Sequence, residues 1–236
     1  MLRALLSKEL KSRRWYFVGA MAAFCFIATI VPYSYLNTLP LLQNILFASF
    51  VWASWWGQPL WQMGFIFVLL LAVTSFDSEN REGVMEFLLS RNVSPGRILT
   101  AKVAADMVVI WLVACVSTAI LYISASCSGI GFDPPYSFVT ATAFTSLAFV
   151  LPYSVSLVAT LVSRNKVVGF STGLLWVVSD LLLLISIKEE LSLIYYMIMP
   201  DFYMQGGFPW VPAAFVLILA SLLTGGAYLV LSKREL

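Results

Sequence analysis

The sequence predicts an all-α polytopic membrane protein with six transmembrane helices and both termini in the cytoplasm. Three observations carry this. Of 236 residues, 61% are hydrophobic and only 11% are charged, where a soluble domain carries about 25% charged residues. Mean hydropathy is +0.90, and the apolar residues fall in long continuous runs rather than in the alternating segments of about ten residues that make a membrane β-barrel. Finally, basic residues sort to one side. If the N-terminus is inside, Arg3, Lys8, Lys11, Arg13 and Arg14 precede the first span. Arg81, Arg91, Arg97 and Lys102 lie around the first inner loop, Arg164 and Lys166 in the second, and Lys233 and Arg234 at the C-terminus. Only Lys188, of 14 Lys and Arg residues, is left outside. That asymmetry is the positive-inside signature, and an odd number of spans would scatter it.

Composition also removes several chemistries. There is no histidine, so the commonest proton shuttle and metal ligand is missing. Cys25, Cys115 and Cys127 are scattered and read as small hydrophobes, with no disulfide framework or metal site. The first apolar run is long and lacks a small-residue cleavage site, against a removable signal peptide. A net charge of +2 gives no reason to expect nucleic acid.

Taken in order, residues 1–14 predict a short amphipathic helix at the membrane interface. Leu2, Leu5, Leu6 and Leu10 share a face, Lys8, Lys11 and Arg14 lie away from it, and Glu9 can pair with Arg13 at i, i+4. A basic stop signal that merely sets topology explains the same residues. The spans, each near the 20 residues a bilayer needs, are expected at 15–36, 58–76, 101–124, 138–162, 167–187 and 211–231. Residues 40–56, also apolar, extend the second helix outside the bilayer or form a re-entrant piece. The tryptophans mark the edges, Trp15 inside and Trp52, Trp55, Trp56 and Trp210 outside. The whole chain, 1–236, reads as one transmembrane domain, with a cytoplasmic segment at 77–100 and an extracytoplasmic one at 188–210.

The cytoplasmic segment is the most informative. Asp77, Ser78 and Asn80 offer capping oxygens. Glu82 and Glu86 sit one turn apart, and Val84, Phe87 and Leu88, like Met85, Leu88 and Leu89, follow helical spacing. A short helix with an apolar face and an acidic edge should stop at Ser90-Arg91-Asn92. Ser94 and Pro95 then supply a cap and first-turn proline for a helix running to about Ser124. Its first turns, with Arg97 and Lys102, stand in cytosol or headgroups; Asp106 is solvated or paired with Lys102. Such a short apolar helix either fills a groove on a soluble partner or lies against lipid.

The run Glu82-Gly83-Val84-Met85-Glu86-Phe87-Leu88-Leu89, followed by Ser94-Pro95-Gly96-Arg97-Ile98-Leu99 and Lys102, resembles the segment between the second and third spans of ABC-2-type transporter permeases. Those often read Glu-x-Gly-(Thr)-x-Glu-x-Leu-Leu, a Pro-Ser-Arg-like turn and then Gly-Lys. Here Val84 replaces the usual Thr, and Ser-Pro-Gly replaces the common Pro-Val-Ser. The resemblance extends to the basic N-terminal helix, the six spans, the loop lengths and the basic C-terminus. It implies a permease subunit of an ABC exporter in the plasma membrane. Glu82, Gly83, Glu86, Phe87, Leu88, Leu89 and Arg91 would form the coupling region for the ATPase subunit. Half a transporter implies a dimer, most simply with a second copy. The chain has no Gly-x-x-x-x-Gly-Lys-[Ser/Thr] loop, so it is not expected to be an enzyme or to bind a cofactor itself; ATP-Mg belongs to the partner ATPase. Related permeases also carry short outer re-entrant helices before the last span. Residues 191–199 suit that role, with Met197, Met199 and Tyr203 lining an outer gate, or they form a plain interfacial helix.

Asp180 is the one carboxylate well inside a predicted span. It serves the translocation pathway, accepts hydrogen bonds from Ser, Thr or Tyr of neighbouring helices, or reaches an outer vestibule. Gly169 and Gly173 form a Gly-x-x-x-Gly expected to bring helices close within the bundle, and Pro32, Pro152 and Pro212 are candidate bends. Three other classes compete. An intramembrane protease lacks His for Ser–His or zinc chemistry, a second facing aspartate, and a lysine at membrane depth. A secondary transporter would show several intramembrane charges or inverted repeats with broken helices, and no such repeat is visible. A membrane scaffold or assembly factor would lack the ATPase contact.

Overall fold

A computed structural model describes residues 2–36, 60–81, 94–127, 136–186, 189–199, 203 and 205–233. All the regular structure among them is helical. In chain order the helices are α1 (Leu2–Leu36), α2 (Trp61–Arg81), α3 (Pro95–Cys127), α4 (Tyr136–Ala148), α5 (Val150–Ser163), α6 (Lys166–Ile185), α7 (Leu193–Ile198) and α8 (Trp210–Ser232), with a single 3₁₀ turn, Glu189–Leu191. Among the described residues, four stretches are long and apolar enough to cross a membrane: α3, α4 with α5, α6 and α8; Gln62–Phe76 of α2 is a shorter apolar helix.

Helix α1 departs from expectation. The interfacial helix and first span expected on either side of residue 14 form one helix of 35 residues. No glycine or proline separates Leu2 from Val18, so nothing in the backbone breaks it; the change at Trp15 is one of surroundings. Helix α3 starts at Pro95, with the N–H groups of Arg97 and Ile98 donating to the Ser94 carbonyl at 2.9 and 3.3 Å. Its 33 residues extend about 50 Å at 1.5 Å each.

The two helices run parallel. Lys102 meets Glu9 and Asp106 meets Arg13, each pair 93 residues apart. Some 30 Å further along, Ser124 Oγ donates to the Thr29 carbonyl, 95 residues apart. The two helices thus keep register over most of a bilayer's thickness.

The expected fourth span is split into α4 and α5 at Phe149. Pro152 has no N–H for the Ala148 carbonyl, but the chain stays nearly helical: Phe149 N–H donates to Thr145 O at 3.1 Å and Tyr153 N–H to Phe149 O at 3.3 Å. Pro212 causes no bend, lying in the first turn of α8, where its missing N–H is an orphan anyway.

Two residues turn α5 into α6. Arg164 is left-handed (φ 55°) and Asn165 caps α6, its side-chain oxygen accepting from Val167 N–H. The hairpin then closes over the glycine pair. Ser156 Oγ donates to the Gly169 carbonyl at 3.0 Å. A Cβ on Gly169 would overlap Thr160 Oγ1, and one on Gly173 would overlap Leu69 Cδ2 of α2. The Gly-x-x-x-Gly therefore serves contacts within the bundle, as expected. The core runs between these helices through Phe65, Phe76, Leu121, Phe144, Phe149, Leu157 and Val216.

Candidate functional site

Two polar centres interrupt this apolar interior. The larger lies about 16 Å along α3 from its start, counted to Asp106. Glu9, Arg13, Ser75, Lys102 and Asp106 are all buried, Asp106 completely. Arg13 Nε donates to Asp106 Oδ1 at 2.7 Å, and Arg13 Nη2 donates to Ser75 Oγ at 2.8 Å. The Ser75 hydroxyl also bonds Asp106 Oδ2, and Tyr153 Oη of α5 donates to the same oxygen at 2.7 Å. One turn towards the helix start, Lys102 Nζ lies 3.3 Å from Glu9 Oε2, donates to the Ser75 carbonyl at 2.7 Å, and stands 5.0 Å from the Phe76 ring centroid.

The pairing corrects the expected one. Glu9 does not pair with Arg13, nor Lys102 with Asp106; each reaches across to the other helix. An exposed i, i+4 pair is worth only a few tenths of a kcal/mol. In an interior, an unpaired charge costs several kcal/mol. Crossing the pairs satisfies two acids and two bases together. The sequence carries a signal for this that within-helix reasoning misses. Acid then base at spacing four on α1 faces base then acid at spacing four on α3, complementary only if the helices are parallel and in register. Its described members, two acids and two bases, balance in charge, and the cluster fixes α1, α2, α3 and α5 at one end of the bundle. Its hydrogen bonds join side chains from four helices, so it holds those helices together.

The second centre is Asp180 on α6. Its carboxylate accepts the backbone N–H groups of Leu193 at 2.9 Å and Ile194 at 3.0 Å. Ser192 Oγ meanwhile accepts Tyr195 N–H at 3.3 Å. These are the orphan donors at the start of α7, and a carboxylate there meets the positive end of the helix. Asp180 thereby fastens the segment before α8 to α6. Of the other residues expected near the pathway, Met197 and Tyr203 are fully buried and Met199 is half-buried at the end of α7. Tyr203 Oη donates to the Tyr196 carbonyl at 2.5 Å, and burial pushes its phenol well above the ordinary value. Asp180, Met197 and Tyr203 are packed in the interior of the single chain.

The residues expected to touch an ATPase, Glu82, Gly83, Glu86, Phe87, Leu88, Leu89 and Arg91, lie outside the described residues. Their flanks are described: α2 ends at Arg81 and α3 begins at Pro95, both beyond the ionic cluster in the direction of the α1 N-terminus. A cavity of about 520 Å³ opens between α3 and α4, lined by Trp111, Cys115, Thr118, Tyr122, Phe138 and Thr142 among others. Among the described residues its lining carries no carboxylate, lysine or arginine, so that lining suits hydrocarbon rather than a hydrophilic solute. No family model, curated protein or solved structure matches the chain.

Proposed function

We propose that this chain is the permease subunit of an ABC exporter. In this reading it crosses the plasma membrane six times with both termini inside, forms the substrate pathway as a dimer, and couples through residues 77–100 to a separate ATPase subunit that holds ATP-Mg. The observation that carries the proposal is the charged, helical-spaced segment Glu82–Arg91 between two helices whose inner ends are tied together. Lys102 and Asp106 on α3, Ser75 on α2 and Glu9 and Arg13 on α1 form one buried cluster. A push on the intervening segment therefore reaches three helices at once rather than one mobile loop. The parallel run of α1 beside α3 supports a span for α1, because a partner in register over about 30 Å shares the same depth. The basic residues support the orientation.

The test is association. Purified with a candidate ATPase subunit, the chain should form a stable complex. Glu86→Arg or Leu88→Asp should weaken that complex in a pull-down while leaving the helical content of the detergent-solubilised chain unchanged. Unaltered association in both variants would remove the coupling role and leave a membrane scaffold as the better reading.

A further inference from the structure

Pairing Glu9 and Arg13 inward changes what α1 shows outward. Glu9 is the sole acid among residues 2–36, and it is buried against Lys102. On the same turns Lys8, Lys11 and Arg14 are exposed. Among the described residues of α1, Lys11 and Arg14 therefore point outward while the one acid faces inward. Trp15 follows directly, 71% exposed, with the Arg14 guanidinium 5.3 Å from its ring centroid. A shallow, open groove of about 500 Å³ lies on this face, and Leu6, Ser7, Leu10, Lys11 and Arg14 line it among the described residues.

We propose that this cleft binds the headgroup of an anionic phospholipid. The chemistry of the wall selects it. Arg14 presents a planar fork of donors matched to phosphate oxygens, Lys11 a compact positive charge, and Ser7 a hydroxyl. Leu6 and Leu10 make an apolar floor, which free phosphate would leave wet but a glycerol backbone with the start of its acyl chains would cover. Trp15 sits where tryptophan settles between headgroup and hydrocarbon, directly before the apolar stretch of α1. The inference rests on the reading that α1 enters a membrane, and it involves neither the ATPase nor the substrate. The bound headgroup would hold the α1 segment that carries Glu9 and Arg13 at the level of the bilayer surface.

The experiment uses the full-length chain, delipidated in neutral detergent and titrated with phosphatidylglycerol or phosphatidylcholine, with bound lipid counted by native mass spectrometry. Wild type should take up phosphatidylglycerol in preference. Lys11→Gln with Arg14→Gln should weaken that uptake about thirtyfold at low salt, and Lys11→Gln alone about fivefold, following the usual increment per basic residue near an anionic surface. The charge-preserving variant Lys11→Arg should retain it. Equal uptake of both lipids, unchanged uptake by Lys11→Gln/Arg14→Gln, or displacement of the lipid by inorganic phosphate at equal concentration would each overturn the proposal. None of these outcomes bears on ATPase association, so the two readings fail separately.

Discussion

Replacing Asp106 with alanine removes an acceptor used by Arg13, Ser75 and Tyr153 at once. At the observed 2.7 Å, the Arg13–Asp106 attraction is about 6 kcal/mol at an effective dielectric of about 20. Desolvation of the two ions costs several kcal/mol each, so the intact pair contributes little net stability. The variant is different, because Arg13 keeps its desolvation cost and loses its partner. The expected loss is roughly 3–5 kcal/mol. A neutral replacement of the whole group, Arg13→Met with Asp106→Leu and Tyr153→Phe, leaves no orphan and should lie within about 1 kcal/mol of wild type. The assay is equilibrium unfolding in mixed micelles, followed by tryptophan fluorescence. A loss below about 1 kcal/mol for Asp106→Ala, or a triple variant as unstable as the single one, would refute the view that these charges are desolvated and mutually dependent.

Further outcomes follow from other contacts. Gly169→Ala should cost about 1–3 kcal/mol through overpacking against Thr160 and the Ser156 carbonyl, while Gly225→Ala, with open space around its would-be Cβ, should cost nothing in the same unfolding assay. Asp180→Ala should speed hydrogen exchange at the Leu193 and Ile194 amides and destabilise the fold by roughly 1–3 kcal/mol, the cost of leaving a buried donor unmade; unchanged exchange would contradict the cap. In a cysteine-free background, an impermeant thiol reagent should label Ser7→Cys and Lys233→Cys only from the cytoplasmic side and Lys188→Cys only from outside. Labelling of Ser7→Cys and Lys233→Cys from opposite sides would overturn the six-span topology.

Much of this architecture is legible in the residues because membrane helices obey local rules. Ser94-Pro95 marks the start of α3, and the apolar runs bound α6 and α8 to within a few residues; the Asn165 cap of α6 comes from the structure alone. Gly169 and Gly173 announce a close approach, though not that Thr160 and Leu69 fill it. Partner choice is harder to read. Nothing within α1 says whether Glu9 should face Arg13 or Lys102, since both geometries satisfy helical spacing; burial decides, and burial is a property of the assembled bundle. The continuity of α1 was obscured by its composition, because a switch from charged to apolar residues resembles a boundary although the backbone has no cause to stop. Asp180 is conspicuous in sequence as an intramembrane acid, but its main partners are backbone amides, which no side-chain pattern reveals.

The parallel register of α1 and α3 also has a bearing on biogenesis. Glu9 and Arg13 leave the ribosome before Lys102 and Asp106 have been made, so for that interval they have only water, headgroups and each other to satisfy them. If α1 enters the membrane as proposed, its start stays at the bilayer surface until α3 arrives. When it does, only one alignment is accepted: a slip of one turn in either direction would set Glu9 against Asp106 or Arg13 against Lys102, like charge on like. The quartet thus opposes a misaligned α1, because each one-turn slip brings like charges together.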